Sequence, residues 1–216
     1  MMSHVKSTLA VSALFVLIAA VTAVWLYPVL PAQVPMHWDL QGNVNGTMPR
    51  FWAAAFPALS VLGLALLTAI LPVISPHRFE IAPFASVYNL LMLVVQGVIL
   101  FIGVSALLLG AGYAVPMPTV AALAIGVLFM VLGNYMGKLR KNFFIGIRTP
   151  WTLASSAVWE RTHRLGGRVF VLAGLLLVIG SLAGVPLWVT LSVVVTAALI
   201  PCVYSYVIYR QAGSGV

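Results

Sequence analysis

The sequence predicts an all-α, polytopic integral membrane protein with about six transmembrane helices. Hydrophobic residues make up 62% of its 216 residues and charged residues only 6%. Together with a mean hydropathy of +1.12, that balance exceeds what a water-soluble core can absorb. The apolar residues also run without interruption over lengths that cross a bilayer, and the cations gather in alternate connections.

Six stretches qualify as spans: Ser7 to Leu30, Phe51 to Ile74, Ser86 to Leu109, Pro118 to Met136, Gly166 to Leu182 and Leu187 to Tyr209. Only Arg168 brings a charge into them, at a span end from which its guanidinium can reach the headgroups. The first stretch begins after Lys6 and is too long for a signal-peptide core. Val21-Thr22-Ala23 is therefore read as part of a span and not as a cleavage site. Ala183-Gly184-Val185-Pro186 leaves room only for a tight antiparallel hairpin between the fifth and sixth spans.

With the chain consumed by spans, no separate soluble domain fits. The organisation expected is an amino-terminal two-span region, residues 1–85, with a loop at 31–50, and a carboxy-terminal four-span region, residues 86–216, with a basic loop at 137–165. The two form one structural unit. Each long loop follows the first span of a three-span half, the arrangement of a weak inverted duplication.

Lys6, Arg78, Lys138, Arg140, Lys141, Arg148, Arg161, Arg164, Arg168 and Arg210 fall on one side of the membrane, and Arg50 alone on the other. Cytoplasmic segments hold such an excess, so both termini and the 137–165 loop are expected in the cytoplasm. Orientation and anionic lipid account for the net charge of +8. The basic residues flank spans and do not interleave with exposed aromatics, which argues against direct nucleic-acid binding. Trp25, Tyr27, Trp52, Tyr113 and Trp188 mark outer span ends, and Tyr88, Tyr135, Trp151 and Tyr209 inner ones, as interfacial anchors do. Cys202, the single cysteine, permits neither a disulfide framework nor a zinc motif.

In the outer loop Pro28, Pro31 and Pro35 stiffen the approach to His37-Trp38-Asp39, and Gly42, Asn43, Asn45 and Gly46 permit turns. A folded cap is expected there, contacting a peptide or serving structure. His37 and Asp39 could also pair with Arg50, but two ligand types at this spacing fall short of a metal site.

The inner loop concentrates Asn142, Gly146, Arg148, Thr149, Pro150, Trp151, Trp159, Glu160, Thr162, His163 and Arg164. From Thr152 the pattern is helical, with Ala154, Val158, Arg161 and Leu165 on one face. It reads either as an amphipathic segment along the inner leaflet or as a polar network joining Arg148 to Glu160–Arg164 beneath the helices.

All three acids, Asp39, Glu80 and Glu160, lie in loops, so the spans lack a proton relay and neither catalysis nor a cofactor is expected. Asn89, Gln96 and Asn134 offer hydrogen bonds between helices. If they lined a water-filled path they would instead support a small-molecule or lipid transporter. Gly97, Gly103 and Gly110 are expected at close helix contacts.

The chain resembles the SdpI family of immunity membrane proteins against a sporulation-delaying peptide toxin. Val34-Pro35-Met36-His37-Trp38-Asp39 with Gly42 is similar to the family's amino-terminal domain of unknown function. Gly133-Asn134-Tyr135-Met136, Asn142 through Leu153, and Val158-Trp159-Glu160-Arg161-Thr162-His163-Arg164 resemble its carboxy-terminal domain. The resemblance implies a multi-pass protein of the bacterial cytoplasmic membrane. It also implies protection from a membrane-active peptide and, through the cytoplasmic side, recruitment of a transcriptional repressor.

Overall fold

The computed structural model describes residues 2–39 and 41–213. Side chains are described from residue 6 to 212 apart from 40 and 78, so Arg78, counted among the cations above, lies outside them. The chain runs through α1 (Met2–Leu26), strands β1 (Gln33–Trp38) and β2 (Val44–Pro49), α2 (Arg50–Ile74), α3 (Ala85–Gly110), α4 (Met117–Met136), a short α5 (Pro150–Ala154), α6 (Ser156–Leu182) and α7 (Leu187–Gly213). Among the described residues six helices, all but α5, are long and apolar enough to cross a membrane.

Proline and glycine set the limits of these helices. α2 starts directly after Pro49 and stops before Ser75-Pro76, because the residue before a proline is pushed out of helical geometry. Gly112 and Gly184 end α3 and α6 in the left-handed region, at φ 95° and 70°. Tyr113 N–H then donates to Leu108 C=O at 3.1 Å and Val185 N–H to Gly180 C=O at 2.9 Å, the glycine-terminated cap that satisfies the last carbonyls. The α6–α7 connection is thus the tight hairpin expected.

The spans bury small and polar residues and turn large apolar ones outward: Leu17, Leu66, Leu176 and Leu199 are exposed, whereas Ala53, Thr68, Gln96 and Ser205 are buried. Lipid is the solvent in which that distribution is stable. α1, α2 and α3 pack on one another; α4 packs on α6 and α6 on α7, and α3 against α4 joins the two sets. α4 and α7 scarcely touch. The second half is thus a row where the first is a triangle, and a repeated arrangement of halves is not what the packing shows.

The contact between α4 and α6 is backbone on backbone. A Cβ on Gly133 would lie 2.5 Å from Gly167 O, and one on Gly174 2.6 Å from Gly126 O. The four glycines sit seven residues apart in each helix, two turns, so they form one stripe on each. Of the glycines expected at close contacts, Gly103 makes room for Pro57, whose ring would be 2.8 Å from an added Cβ, and Gly110 for Val34 at 2.7 Å. Gly97 meets only Phe15 at an ordinary 3.7 Å.

The sequence placed the start of the fifth span at Gly166, but α6 begins ten residues earlier, at Ser156. Residues 156–165 are its first turns and do not form a separate helix lying along the leaflet. Their buried face is Val158, Trp159, Thr162 and His163; of the predicted Ala154, Val158, Arg161 and Leu165 only Val158 lies on it, and Ala154 and Arg161 are exposed. The glycine stripe sets that rotation, because Gly166 and Gly167 must continue the same face into the bundle.

Substituting Gly167 by Leu should lower stability by roughly 1–3 kcal/mol or prevent assembly, since a side chain there meets backbone and not a movable neighbour. Gly63→Ala, where nothing lies within 4 Å of an added Cβ, should leave the thermal midpoint of the detergent-solubilised protein unchanged. Thermal unfolding of the two variants beside the native chain checks both expectations.

Candidate functional site

The six spans bring the two long connections to opposite ends of the bundle, a hairpin face and a loop face. On the hairpin face, α1 closes with a single turn at Tyr27–Val29 and feeds β1, which pairs with β2 in antiparallel register from Gln33 opposite Pro49 to Trp38 opposite Val44. The expected cap is therefore a β-hairpin, the one sheet among the described residues. Val34 is fully buried against Leu26, Leu30 and Leu107, and this pins the hairpin to α1 and α3.

The motif residues build the hairpin's own turn. Asp39 Oδ1 accepts from Gln41 N–H at 2.9 Å and Asn43 N–H at 2.8 Å, and Gly42 N–H donates to Asp39 C=O at 3.0 Å. The Asn43 amide foremost holds the Asp39 carboxyl below its usual pKa range, because each donor favours the ionised form. Gly42 supplies the φ of 85° that the turn requires. His37 is exposed, and its Nδ1–H donates to Asn45 Oδ1 at 2.5 Å. Pro35 lies within β1, next to a register shift, and Trp38 is half-buried at the strand end.

Arg50 does not pair with Asp39. Its Nε–H donates to Pro31 C=O at 3.4 Å and its guanidinium lies 5.7 Å from the Tyr27 ring centre. Between the hairpin turn and the second half, Gln41, Gly42, Thr119, Gly184, Pro186 and Trp188 border a cleft of about 560 Å³. Sequence reasoning singled out only Gly42 as a site residue there. The others sit in short connections or, for Thr119 and Trp188, in the first turns of α4 and α7, and only the docking of the hairpin beside α4 makes them neighbours.

On the loop face, the segment from Gly137 to Thr149 wraps the first turns of α6. Asn142 is fully buried and uses its whole amide: Oδ1 accepts from Phe144 N–H and Ile145 N–H at 2.8 and 2.7 Å, while Nδ2 donates to Arg140 C=O at 2.8 Å and Ile145 C=O at 3.0 Å. One side chain thereby satisfies the backbone of a tight irregular turn. Trp159, 1% exposed, donates from Nε1 to Leu139 C=O at 2.9 Å.

His163 ties the wrap to α6. Its Nδ1–H donates to Trp159 C=O at 2.8 Å and its Nε2 accepts from Ile147 N–H at 3.0 Å, which requires the neutral imidazole with its proton on Nδ1. The ring stacks on Trp159 with centres 4.0 Å apart. Gly146, at φ 112°, passes so close that a Cβ would collide with His163 Nε2. Thr149 and Thr152 then form a reciprocal cap for α5, with Pro150 in its first turn. Thr149 Oγ1 also meets Ser205 Oγ of α7 at 3.0 Å, and Trp151 packs on Tyr206 at 5.0 Å.

The predicted network of Arg148 with Glu160–Arg164 does not form. Arg148 is exposed and donates to Phe143 C=O. Glu160 and Arg164 face outward into a cleft of about 970 Å³ bordered also by Lys138, Arg140 and Lys141. Thr162 is fully buried, and its hydroxyl lacks a partner among the described residues.

Tyr88, expected as an inner interfacial anchor, is instead buried between α3 and α2, its hydroxyl donating to Thr68 C=O at 3.0 Å. Nor do the span amides converge. Gln96 Nε2 donates to Thr68 Oγ1 at 3.2 Å between α3 and α2, and Asn89 is buried in α3, but Asn134 is exposed on α4. A transport path lined by all three is therefore not present, and that alternative is not favoured.

Residues 138–205 match the model of the SdpI/YfhL protein family, and residues 14–61 match Domain of unknown function (DUF1648). The chain is 28% identical over 172 residues to the immunity protein SdpI of Bacillus subtilis (strain 168), an alignment covering 79% of this chain and 80% of that one. No solved structure matches it. Both quoted motifs fall in the matched segments, except Gly133–Met136, which lies just before the second.

Replacing Asn142 by Ala would strand two buried N–H groups and two carbonyls, costing roughly 1–3 kcal/mol where water cannot replace the amide. Asn134→Ala, on an exposed site, should be neutral. Thermal unfolding of the purified variants is expected to separate them in that order.

Proposed function

We propose that this chain, a member of the SdpI family, protects the bacterial cytoplasmic membrane from a membrane-active peptide by binding it, without catalysis. In this reading both termini and the loop face are cytoplasmic, because that face carries every lysine and arginine except Arg50. The regions 1–85 and 86–216 act as one unit, since α3 packs on α1, α2 and α4 alike.

The observation that carries the reading is the cleft of about 560 Å³ on the hairpin face, where the two matched segments meet. A peptide arriving from outside reaches this cleft before the bilayer core. Trp188, 60% exposed at its edge, offers an aromatic anchor. The motif residues His37 and Asp39 act indirectly: they spend their polar atoms on the turn that presents Gln41 and Gly42 to the cleft.

A cytoplasmic partner, such as the transcriptional repressor that the family resemblance implies, would read the opposite end. There Lys138, Arg140, Lys141 and Arg164 border a cleft suited to an acidic surface.

Expression in a bacterium sensitive to the sporulation-delaying peptide tests the reading. Cells with the native chain should keep their membrane potential at peptide concentrations that depolarise cells with empty vector. Thr119→Trp, which fills the hairpin-face cleft, should lower the protective concentration about tenfold at equal membrane abundance. Equal collapse with native chain and vector would overturn the reading, and full protection by Thr119→Trp would remove the cleft from it.

A further inference from the structure

The seam that holds α4 to α6 leaves a second feature outside the bundle. Gly133, Gly137 and Gly167 carry no side chains, and on the outer surface their absence opens a groove of about 540 Å³ between the two helices. Val171 and Leu172 continue it toward the middle of the span, and Leu172 is 62% exposed. At the other end stand three polar groups: Asn134, Arg164 and Arg168, all exposed.

Their depth is informative. Gly133 and Gly167 face one another, and α4 ends at Met136, so Arg168 sits about one turn inside the end of α4 and Arg164 about one turn further out. Arginine and asparagine on a lipid-facing surface at that level are costly unless they reach a polar partner. Neither arginine has an ion-pair partner among the described residues. Glu160, one turn before Arg164, borders the cleft around Lys138 and Lys141 and the recess beside Arg164 and Arg168, but does not line the groove and makes no ion pair with either arginine among the described residues.

Arg164 borders this groove, the basic cleft and a third recess shared with Arg161 and Tyr204; Arg168 borders the groove and that recess. Two guanidinium forks at headgroup level above a slot lined by glycine and aliphatic side chains complement an anion joined to a hydrocarbon chain.

We infer that the α4–α6 groove is a binding site for an anionic phospholipid of the leaflet on the loop face. Arg164 and Arg168 hold its phosphate, Asn134 donates to its glycerol or ester oxygens, and one acyl chain lies along Gly133, Gly167 and Leu172. The site is independent of the hairpin-face cleft, so peptide protection and lipid retention can fail separately.

Native mass spectrometry of the purified full-length protein, with phosphatidylglycerol or phosphatidylcholine of identical chains, tests this. Phosphatidylglycerol should be retained in preference. The double variant Arg164→Gln, Arg168→Gln should reduce its retention about tenfold or more, each cation near a membrane surface contributing a comparable share. Gly137→Phe should do the same by filling the slot. An added Cβ at Gly137 meets nothing within 4 Å and its φ is −67°, so that variant keeps its fold even if the arginine variant does not. The variant Lys138→Gln, Lys141→Gln, which removes neighbouring charge outside the groove, should retain the lipid. Equal losses from both charge variants would reduce the effect to diffuse attraction and overturn the proposal. Displacement of the lipid by millimolar inorganic phosphate would make it a site for the anion alone. Arginine-dependent capture of a polyglutamate peptide without lipid preference would assign the surface to an acidic protein.

Discussion

The fold depends on how closely α4 and α6 approach. Glycine at four facing positions lets carbonyl oxygens occupy space that any side chain would take, and dispersion at that distance replaces the hydrophobic drive that helices in lipid lack. The contact fixes the rotation of α6. That rotation turns Trp159, Thr162 and His163 inward on the turns that protrude past the end of α4. The loop-face motif can fold only because this post stands there: Leu139, Ile147 and Gly146 each make a contact that ends on Trp159 or His163.

The same logic separates framework from contact surface. Asn142, Thr152 and His163 on one face, and Asp39 and Gly42 on the other, spend their hydrogen-bonding capacity on the protein's own backbone. Residues that carry such a motif shape a surface without being that surface. The groups left facing outward are less distinctive: Gln41, Thr119 and Trp188 at one end, and Lys138, Lys141 and Arg164 at the other.

Much of the architecture was legible because lipid imposes a simple rule on composition. Uninterrupted apolar runs located all six spans, and a four-residue connection located the α6–α7 hairpin. The helical pattern from Thr152 was legible, but its continuity with the fifth span was missed because Glu160, Arg161 and Arg164 interrupt the apolar run by which spans are located, whereas in space they project from the first turns of the same helix. The hairpin was anticipated as a folded cap but not as strands, since Val34-Pro35-Met36-His37 lacks clean alternation and carries a register shift. The charged network expected around Arg148 failed for a related reason: sequence proximity cannot show that a buried Trp and His pair fills the space between Arg148 and Arg164. The seven-residue spacing of Gly126 with Gly133 and of Gly167 with Gly174 was the available signal for the seam, and it stands in the sequence itself.

Amide hydrogen exchange in lipid nanodiscs tests the central claim most directly, at Phe144, Ile145 and Ile147. These N–H groups are bonded to Asn142 and His163 side chains and lie outside any helix. The account predicts that all three exchange slowly, as part of one structure with the first turns of α6. Exchange at the rate of an open loop, while α6 itself stays protected, would contradict it and return the loop-face motif to a mobile connection.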